Sequence, residues 1–541
     1  MTAATQSQGT NWDYVVVGAG SSGATLATRL AEHGARVLLL EAGPARDRDF
    51  WVQVPVGCAK LATDGRYAWQ FNTTPQPQLG GRKVYWPRGR LLGGSSSING
   101  NLFVRGEPAE FDHWASLGNR GWDYKSLLPY FKRLEGTELG EDSVRGRSGP
   151  IKVTSVGTLN PLPVTDAFIN ACQSVGVPLA KDYNGDAYEG VSYLQLSVDK
   201  GRRSGTAAAY LRGRPQRSLE VSPDSLATRV LFDGKRATGV EYIQGGVTKR
   251  AMAGKEVILS AGPIKTPQLL ELSGVGNSAH LQSLGIPVVH HLPGVGENLC
   301  DHLHVRLYFA ARNTSTLNEI VNSPIRRTWM GAKYMLSRRG YMATPGVSAH
   351  ALARTPSSPD RPLVKVQIVH QTVGKGYMGT GTTPGFGIGV FQLRPESRGS
   401  LHLRSTDPTA APAIDAGYLT DSRDVTAMIE ALRLARQVAA QPGLAHFIGK
   451  ELAPGIHVND DAGLLAHIKQ AGHTSWHPIG TCKMGHDPMA VVDDTLRVHG
   501  MQNLRIVDSS IMPTMCSSNT NAASIMIGEK ASDLILGRTA A

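Results

Sequence analysis

Short apolar runs, each closed by small or polar residues, mark the two ends of the chain. The run at residues 14–17 leads into glycine, alanine and serine, and a second run at residues 37–40 ends at Glu41. Continuous apolar runs bounded by glycine are typical of buried parallel strands, and small residues between them suit a helix packed on those strands. Residues 13–41 therefore predict a strand–helix–strand unit with a glycine turn after its first strand.

Elsewhere the spacing of apolar residues predicts further strands and helices. Alternation with period two indicates strands, and apolar residues three or four positions apart indicate helices. Predicted strands lie at residues 226–232, 237–243, 257–260, 308–310, 364–370, 386–393, 399–404 and 504–508. Predicted helices lie at residues 166–175, 424–440 and 521–536, with a helical pair within 110–135. Residues 1–11 predict a disordered leader, and residues 44–101 predict a long irregular region.

The order of these elements predicts two domains, each built from separate pieces of the chain. A length of 541 residues exceeds what one simple core organises. Residues 12–160, 220–310 and 470–541 predict a dinucleotide-binding domain, and residues 161–219 and 311–469 predict a substrate-binding domain. The predicted fold class is α/β (α+β overall), with a Rossmann-type domain and a discontinuous antiparallel-sheet substrate domain.

Composition excludes several classes of protein. The net charge is +12, but Lys and Arg are scattered along the chain, so no nucleic-acid partner is predicted. The five cysteines lack CxxC spacing, which argues against a disulfide framework or a zinc site. No basic and apolar leader and no run of 18 apolar residues occurs, so the sequence predicts a cytoplasmic protein without a membrane span.

The first glycine turn has the spacing of a dinucleotide fingerprint. A glycine permits the tight turn, another lets backbone N–H groups reach a pyrophosphate, and another lets the helix pack on the strand. Phosphates bind at such a helix N-terminus because its N–H groups are unpaired and the helix dipole favours anions. Glu41 is placed to accept hydrogen bonds from a ribose. The predicted contacts of this turn are Gly18, Gly20, Ser21, Ser22 and Gly23.

A second glycine-rich segment spans residues 86–100. Adjacent glycines followed by three serines suit backbone and hydroxyl groups packed against a flat polar ligand. A loop that needs glycine only for its turns explains this segment alone equally well. Two glycine loops in one chain nevertheless suit a long dinucleotide gripped at separate points, which favours FAD over NAD. The predicted contacts of this segment are Arg90, Gly93, Gly94, Ser95, Asn99 and Gly100.

Three more segments complete a pattern that extends over nearly the whole chain. Residues 260–276 combine a strand end with a helix begun by Pro263, residues 475–485 contain His477, and residues 507–523 contain Asp508 and Asn519. Together with the two glycine segments, in this order, they resemble the glucose–methanol–choline (GMC) oxidoreductase family. Residues 89–112 and 262–276 resemble the two signatures of that family, and the serine-rich loop is most similar to the choline-dehydrogenase-like and sorbose-dehydrogenase-like bacterial branch.

The resemblance implies the GMC fold and an FAD enzyme that oxidises an alcohol. It implies that His477 is the active-site histidine, that Asn519 is its partner, and that Asp508 and Asn521 add contacts to the cofactor. The chemistry is consistent, because an alcohol gives up hydride readily only when a base shares its hydroxyl proton. A near-neutral imidazole suits that task, and an amide can orient the oxygen while hydride passes to flavin N5.

Other histidines need a different interpretation. Most of the 17 histidines are expected to be structural or exposed. His473 is four positions before His477 and could share a helix face with it, in a supporting or structural role. His302 and His304 lie near Cys300, but these residues lack a recognised ligand spacing, so no metal site is predicted.

The sequence departs from some relatives at two positions. Ile98 stands where some members carry a histidine that bonds covalently to FAD, so non-covalent FAD is expected. Cys300 stands where relatives often have Gln, and a small buried residue is the simplest interpretation.

Several questions about the reaction stay open from sequence alone. The leading hypothesis is a dehydrogenase that passes electrons to a quinone or other carrier; the alternatives are an oxidase that uses O₂ and, as a minor possibility, a non-redox hydroxynitrile-lyase-like enzyme. A quinone acceptor leaves peripheral contact with a membrane open. No sequence feature locates a cage for the ammonium group of choline, and the basic charge leans toward neutral or anionic alcohols.

Overall fold

The computed structural model describes residues 12–185, 187–374 and 379–538. The predicted leader at residues 1–11 lies outside the described residues. Within them, no helix is both long enough and apolar enough to cross a bilayer.

A parallel sheet forms the nucleotide-binding part of the fold. The predicted strand–helix–strand unit is confirmed as the strand Trp12–Val17, the helix Ser21–Glu32 and the strand Val37–Leu40. Their apolar side chains are buried because both faces of the sheet are covered. From edge to edge, the parallel strands run in the order Leu219–Ser222, Val37–Leu40, Trp12–Val17, Val247–Leu259 and Leu504–Ile506.

One long strand joins this parallel sheet to an antiparallel hairpin. The prediction of a short strand at 257–260 captured only the end of the thirteen-residue strand Val247–Leu259. Its first half pairs antiparallel with Arg236–Gln244, which pairs in turn with Ser225–Asp233. Its second half pairs parallel with Trp12–Val17. The alternation of exposed and buried residues along the first half explains why only the last residues were predicted as a buried strand.

A second, antiparallel sheet supports the candidate site. Its strands run in the order Ile448–Ala453, Leu303–Ala311, Gly385–Gln392, Val364–Val369, Val347–Ala353 and Gly190–Tyr193, and His473–Thr474 adds a short segment beside Leu303–Ala311. Most of Leu303–Ala311 falls in the segment 220–310 that was predicted for the other domain, although it pairs in this sheet. The division of the chain into two domains stays a prediction.

The two faces of the antiparallel sheet have different roles. Alternate residues such as Val305, Val366 and Val390 are buried in a cluster with residues of the helices Pro163–Ser174 and Ser422–Ala439. Residues of the opposite parity therefore point away from these helices. That second face forms one wall of the cavity described below.

The C-terminal helix Asn521–Leu536 returns to the start of the chain. It packs on Ser21–Glu32, and a Cβ atom on Gly528 would lie 2.5 Å from the Ser22 carbonyl oxygen. Only glycine permits so close an approach of the two helices.

The predicted helices agree with the structure, whereas the irregular region needs correction. The helical pair is Pro108–Ser116 and Tyr124–Leu134. Residues 44–101 contain the hairpin Ala68–Asn72 and Tyr85–Gly89, which glycine, proline and aromatic content obscured. The remaining α-helices of the described residues are Phe50–Gln53, Cys58–Ala62, Val156–Leu159, Gly262–Leu272, Ser278–Ser283, Leu317–Asn322, Pro324–Ser337, Pro442–Ala445 and Asp461–Ala471. The remaining strands are Glu135–Gly136, Ile151–Ser155, Gln195–Asp199, Arg202–Arg203, Val275–Gly276, His290–His291, Ser400–His402 and Ala413–Asp415.

Candidate active site

The two glycine segments pack directly against each other. The backbone N–H of Gly93 donates to the Ala19 carbonyl at 2.8 Å, and a Cβ atom on Gly94 would lie 2.8 Å from the Cα of Gly20. Gly93 and Gly94 have φ angles of 86° and 51°, which favour glycine. The sequence segments were predicted to grip one ligand, and the structure brings them together.

A first cavity lies along these glycine segments. The Cβ of a side chain at Gly20 would meet nothing within 4 Å, so the backbone there opens to the cavity. The helix that follows has no side-chain N-cap, which leaves N–H groups for an anion. The predicted residues that line this cavity are Gly18, Gly20, Ser21, Ser22, Glu41, Gly94, Ser95 and Asp508.

Some of the predicted residues do not line the cavity but pack behind the residues that do. Gly23 lies where a Cβ would be 2.0 Å from the Gly18 carbonyl oxygen, so its part is the close packing of helix on strand. The Arg90 guanidinium stacks at 4.7 Å on the ring of Trp69, and that ring lines the cavity. The residues that line the cavity therefore do not include Gly23, Gly93 and Arg90, which pack against the lining residues instead.

Glu41 braces the first glycine turn. Its carboxylate accepts the backbone N–H groups of Ala19 at 3.0 Å and Gly43 at 2.9 Å. Burial raises the pKa of Glu41 to about 7, although these two N–H groups act in the opposite direction. Contact of Glu41 with a ribose stays a prediction.

Asp508 holds the turn at the opposite side of the cavity. One of its carboxylate oxygens accepts the N–H of Gly262 at 2.9 Å and the hydroxyl of Thr266 at 2.6 Å. The other accepts the N–H of Ser510 at 2.8 Å. The start of the helix Gly262–Leu272 is thereby tied to the segment after the strand Leu504–Ile506.

A second cavity continues from the first. Both cavities are lined by Ser21, Arg88, Ser95, Ser509 and Ser524, so a single extended ligand can occupy both. The second cavity has a volume of about 260 Å³. The predicted residues that line it are Ser21, Ser95, Asn99, Gly100, His477, Asn519 and Asn521.

His477 and Asn519 are in direct contact at the wall of the second cavity. His477 Nε2 lies 2.9 Å from Asn519 Nδ2, and His477 Nδ1 lies 2.9 Å from His302 Nδ1. His302 Nε2 lies 3.0 Å from the Leu393 carbonyl oxygen. A carbonyl only accepts, so His302 Nε2 carries the proton and its Nδ1 accepts from His477.

This chain of hydrogen bonds leaves His477 Nε2 unprotonated. Its Nδ1–H is used toward His302, and its Nε2 lone pair accepts from the Asn519 amide. Burial lowers the pKa of His477 well below its usual value, and the positive charges of Lys365 and Arg88 act in the same direction. The arrangement presents a neutral imidazole nitrogen to the cavity, as a base requires.

Lys365 is a functional candidate that the sequence analysis missed. Its Nζ donates to Asn519 Oδ1 at 2.8 Å and therefore fixes which end of the amide faces His477. The side chain is fully buried, and burial lowers the pKa of Lys365 to about 7. A lysine in the fully buried strand Val364–Val369, where Gln367 is the one other polar residue, is the signal that could have found it.

Asp301 positions the backbone that carries His477. Its Oδ1 accepts the N–H of His477 at 2.7 Å, and its Oδ2 accepts the hydroxyl of Thr474 at 2.6 Å. Trp476, between them, has a φ angle of 62°, a strained value for a bulky residue. Asp301 thus holds a turn that would not form by local preference.

The interpretation of His473 needs correction. It lies in the short strand His473–Thr474 and not on a helix with His477. Its Nε2 lies 3.1 Å from His304 Nδ1, so it belongs to a separate histidine pair. The strand pairing with Leu303–Ala311 produces this contact.

Two other residues singled out in the sequence lie close to the site. Cys300 is buried, with its Sγ 3.6 Å from an Arg398 guanidinium nitrogen, and burial raises the pKa of its thiol to about 12. Ile98 is 6% exposed and lines the second cavity. In the described part of the chain, one group with metal-ligand proximity occurs elsewhere, at Glu271, His280 and His402.

Comparison with protein-family models gives matches over most of the chain. The N-terminal model described as GMC oxidoreductase matches residues 12–304, and the corresponding C-terminal model matches residues 395–528. These ranges contain both glycine segments and His477.

Curated relatives and solved structures agree with these models. Mitochondrial choline dehydrogenase of Homo sapiens is 42% identical over 98% of this chain and 90% of that protein. An oxygen-dependent choline dehydrogenase of Photobacterium profundum is 40% identical over 98% of this chain and 94% of its own length. A structure of pyridoxine 4-oxidase from Mesorbium loti has a TM-score of 0.88 at 30% identity and covers 98% of this chain and 100% of that chain. A structure of an FAD-dependent oxidoreductase from Chaetomium thermophilum has a TM-score of 0.87 at 27% identity and covers 97% of this chain and 99% of that chain.

Proposed function

Because the chain belongs to the GMC oxidoreductase family, which acts on CH–OH donors with FAD, we propose that it oxidises a small alcohol to an aldehyde or ketone with His477 as the base. The observation that carries this proposal is the contact of His477 Nε2 with Asn519 at the wall of a cavity that continues into the nucleotide cavity. A base, an amide donor and a cofactor site therefore meet in one place.

The residues of the two cavities fit FAD. The open backbone at Gly20 and the uncapped helix N-terminus suit a pyrophosphate. The shared lining at Ser21 and Ser95 lets one long dinucleotide reach from there to His477. When bound, FAD supplies a two-electron acceptor for hydride at its N5 atom.

The protein residues would act on the hydroxyl group of the substrate. His477 Nε2 accepts the hydroxyl proton. It is available for this role because the lowered pKa keeps the imidazole neutral at rest and the other ring nitrogen donates to His302. The Asn519 amide, which now contacts His477, donates to the substrate oxygen and stabilises its developing negative charge. Lys365 keeps that amide in the required orientation.

FAD is held without a covalent bond in this proposal. Ile98 lies at the cavity wall, and an aliphatic side chain offers no nucleophile to the flavin. Phosphate contacts at the glycine turn and the enclosure of the ligand between two cavities would provide the affinity instead.

Electrons leave the enzyme to a quinone or another carrier in this proposal, with O₂ as the alternative acceptor. The alternative is supported by similar proteins that are named as oxygen-dependent or as oxidases. A lipid-soluble quinone would require the protein to reach a membrane surface.

The visible spectrum of the purified protein tests the proposal. Flavin absorbance bands are expected, and they should bleach when an alcohol substrate is added without oxygen. Recolouring within seconds of admitting air would indicate an oxidase, and slow recolouring would indicate a dehydrogenase. A protein without flavin bands would contradict the proposal.

A further inference from the structure

The substrate cavity carries a positive charge that no described residue balances. Arg306 lines the cavity and is half-buried, and its guanidinium contacts the hydroxyl of Tyr308 at 3.4 Å. Among the described residues that line the cavity, none is Asp or Glu. The sequence between Val373 and Gly379 contains no acid either. A partly buried cation normally has a counter-ion. We therefore expect a bound anion to supply the counter-ion that Arg306 lacks.

Arg306 and Gln367 line the same part of the substrate cavity. Arg306 pairs across the sheet with Gly389, and Gly389 pairs with Gln367, so these residues share one face of the sheet. The His304 ring covers Gly389, because a Cβ atom there would lie 2.3 Å from His304 Nε2. Arg306 Nε and Gln367 Oε1 are buried and have no hydrogen-bond partner within the described protein. Arg306, Gln367 and His304 therefore form a polar part of the cavity wall whose hydrogen-bonding capacity is not used within the described residues.

The cofactor does not account for Arg306. Arg88 lines both cavities and can meet a dinucleotide, whereas Arg306 lines only the second one. Arg306 is therefore not among the residues that both cavities share, and we assign its charge to the substrate part of the second cavity.

The distance from Arg306 to the base limits the size of the substrate. The ring of Phe391 lies 5.9 Å from the ring of His477. Gly389 is two residues from Phe391 on the same strand and face, which is roughly 7 Å along the sheet. A group bound beside Arg306 is thus separated from His477 by both of these spans, so a chain of several carbon atoms must link it to the reacting hydroxyl.

We propose that the substrate is an alcohol that carries a carboxylate, bound beside Arg306 and Gln367, while its hydroxyl lies at His477. This rests on the proposed function and names its substrate class. Arginine binds carboxylates through charge-assisted hydrogen bonds, and the Gln367 amide nitrogen can add another. Choline is excluded as a good substrate, because its ammonium would face Arg306 without an acid. The Lys365 ammonium already lies 5.5 Å from the Phe391 ring, so that aromatic face is not free for a second cation.

A series of alcohols with one chain length and three charges tests the proposal. Anaerobic flavin bleaching by 6-hydroxyhexanoate, 1-hexanol and 6-amino-1-hexanol gives kcat/KM for an anion, a neutral alcohol and a cation. We expect the anion to be the best substrate, with 6-amino-1-hexanol and choline at least tenfold poorer. Arg306→Gln should lower kcat/KM for 6-hydroxyhexanoate at least tenfold and change that for 1-hexanol less than twofold. The control is Arg312→Gln, six positions on and exposed.

Each other outcome overturns the proposal or separates it from the proposed function. Equal loss with the neutral alcohol would make Arg306 structural, and preference for a cation would refute the substrate class. Hexanoate, which cannot be oxidised, gives a second readout through its effect on the flavin spectrum. If hexanoate binds in an Arg306-dependent way while no alcohol bleaches the flavin, the carboxylate site stands and alcohol oxidation fails.

A separate surface carries a second inference. The helix Pro324–Ser337 exposes Ile325, Trp329 and Leu336, at 83%, 69% and 87% of their surface. Their spacing places them on one stripe of the helix, opposite the buried Tyr334. We name these three residues the outer stripe. Large apolar side chains this exposed, and aligned, mark a contact surface.

The charge around the outer stripe indicates its partner. Arg326, Arg327 and Lys333 are exposed on the same helix. The sequence has no Asp or Glu between Glu319 and Asp360. Arg326 is paired with Glu319 of the preceding helix at 3.6 Å, but the helix of the outer stripe itself carries basic side chains and no acid. Such a helix is typical of one that lies in the interface of an anionic membrane.

The outer stripe lies on the side of the substrate cavity. The turn Tyr341–Ala343 after the helix contacts the turn Pro55–Gly57, beside the exposed Phe50 and Trp51. Cys58 and Pro345, which follow these turns in the chain, line the second cavity. The basic apolar surface and the cavity are therefore neighbours.

We infer that the outer stripe binds the surface of an anionic phospholipid membrane. Sedimentation with vesicles of phosphatidylcholine and phosphatidylglycerol should bring the holoenzyme into the pellet, and pure phosphatidylcholine vesicles should do so much less. Trp329→Glu with Leu336→Glu should leave the protein in the supernatant and keep its flavin spectrum. The control is Val247→Glu, an apolar residue exposed by 58% on the distant hairpin. If the wild-type protein stays in the supernatant, the membrane partner is refuted. It is also refuted if the wild type forms a dimer without vesicles and the double variant does not.

Discussion

Lys365 Nζ lies 2.8 Å from Asn519 Oδ1, and this contact sets the direction of the whole hydrogen-bond chain at the site. In its protonated form Lys365 only donates, so the amide oxygen of Asn519 must face the lysine and the amide nitrogen must face His477. From there the chain continues through His302 to the Leu393 carbonyl. The Lys365 ammonium can only donate and the Leu393 carbonyl can only accept. Together these two groups determine which nitrogen of the His477 imidazole carries the proton.

Lys365→Met is expected to lower kcat/KM roughly tenfold, which corresponds to about 1.4 kcal/mol. The amide of Asn519 would lose the bond that orients it, while the apolar methionine fills the same buried space. The control is Lys450→Met, an exposed lysine on the strand Ile448–Ala453 of the same sheet. Equal activity of Lys365→Met and wild type would show that Asn519 needs no such bond.

The pH profile separates Lys365 from His477. The pKa of His477 is lowered well below its usual value, so its protonation should reduce kcat/KM only at pH values clearly below 6.5. The pKa of Lys365 is lowered to about 7, so a change of kcat/KM near pH 7 is expected from the lysine. That change should be absent in Lys365→Met. A step near pH 7 that persists in the variant would assign it to another group.

His477→Ala is expected to reduce kcat by a factor of roughly 10² to 10⁴ and to retain bound FAD. The hydroxyl proton would have no acceptor, while the nucleotide cavity keeps its glycine segments. Rapid-scan absorbance of the bleaching step measures this directly. The control is His486→Ala, at an exposed histidine nine positions after His477. Loss of flavin from His477→Ala would mean that the histidine is structural.

Precipitation of the wild-type protein with trichloroacetic acid is expected to leave the yellow flavin in the supernatant. Ile98 at the wall of the second cavity offers no atom for a covalent link. Absorbance of the supernatant and of the redissolved pellet gives the released fraction. Flavin in the pellet would show that another residue forms a bond.

His402 is expected to stabilise the fold at acidic pH. Burial opposes its charged form, but hydrogen bonds and attraction from Glu271 and Glu297 outweigh burial and raise its pKa. Its contribution is therefore complete below pH 6.5 and is lost as pH rises through the raised pKa. The difference in Tm between wild type and His402→Gln should be largest near pH 6 and shrink above that pKa. His113→Gln, at an exposed histidine, should show no such trend. A difference that grows with pH would refute the ion-pair assignment.

The nucleotide-binding half was predictable because its chemistry is local in sequence. The glycine turn, its helix and Glu41 lie within thirty residues, and close backbone contacts at Gly18 and Gly23 give the steric reasons expected for these two glycines. The hairpin in residues 44–101 was missed because Pro87 and the glycines of that region outweigh its strand pattern.

The surroundings of His477 could not be predicted in the same way. His302 is 175 positions away and Leu393 contributes only a carbonyl, which has no signature in sequence. The role of Lys365 depends on the pairing of strands, which places it opposite Phe391 and under Asn519. The residue type indicates which chemistry a side chain can perform. The long-range pairing of strands determines which other groups that side chain contacts.

The contact between the first and last helices has a consequence for biosynthesis. Ser21 donates to Asn521 at 2.7 Å across 500 residues, and the strand Leu504–Ile506 completes the sheet that begins at Trp12. The cofactor site therefore cannot close on the ribosome until the last part of the chain has emerged. Cofactor loading must wait until the helix Asn521–Leu536 has been synthesised, and a chain that stops short of this helix would be left with an open nucleotide site and exposed apolar surface.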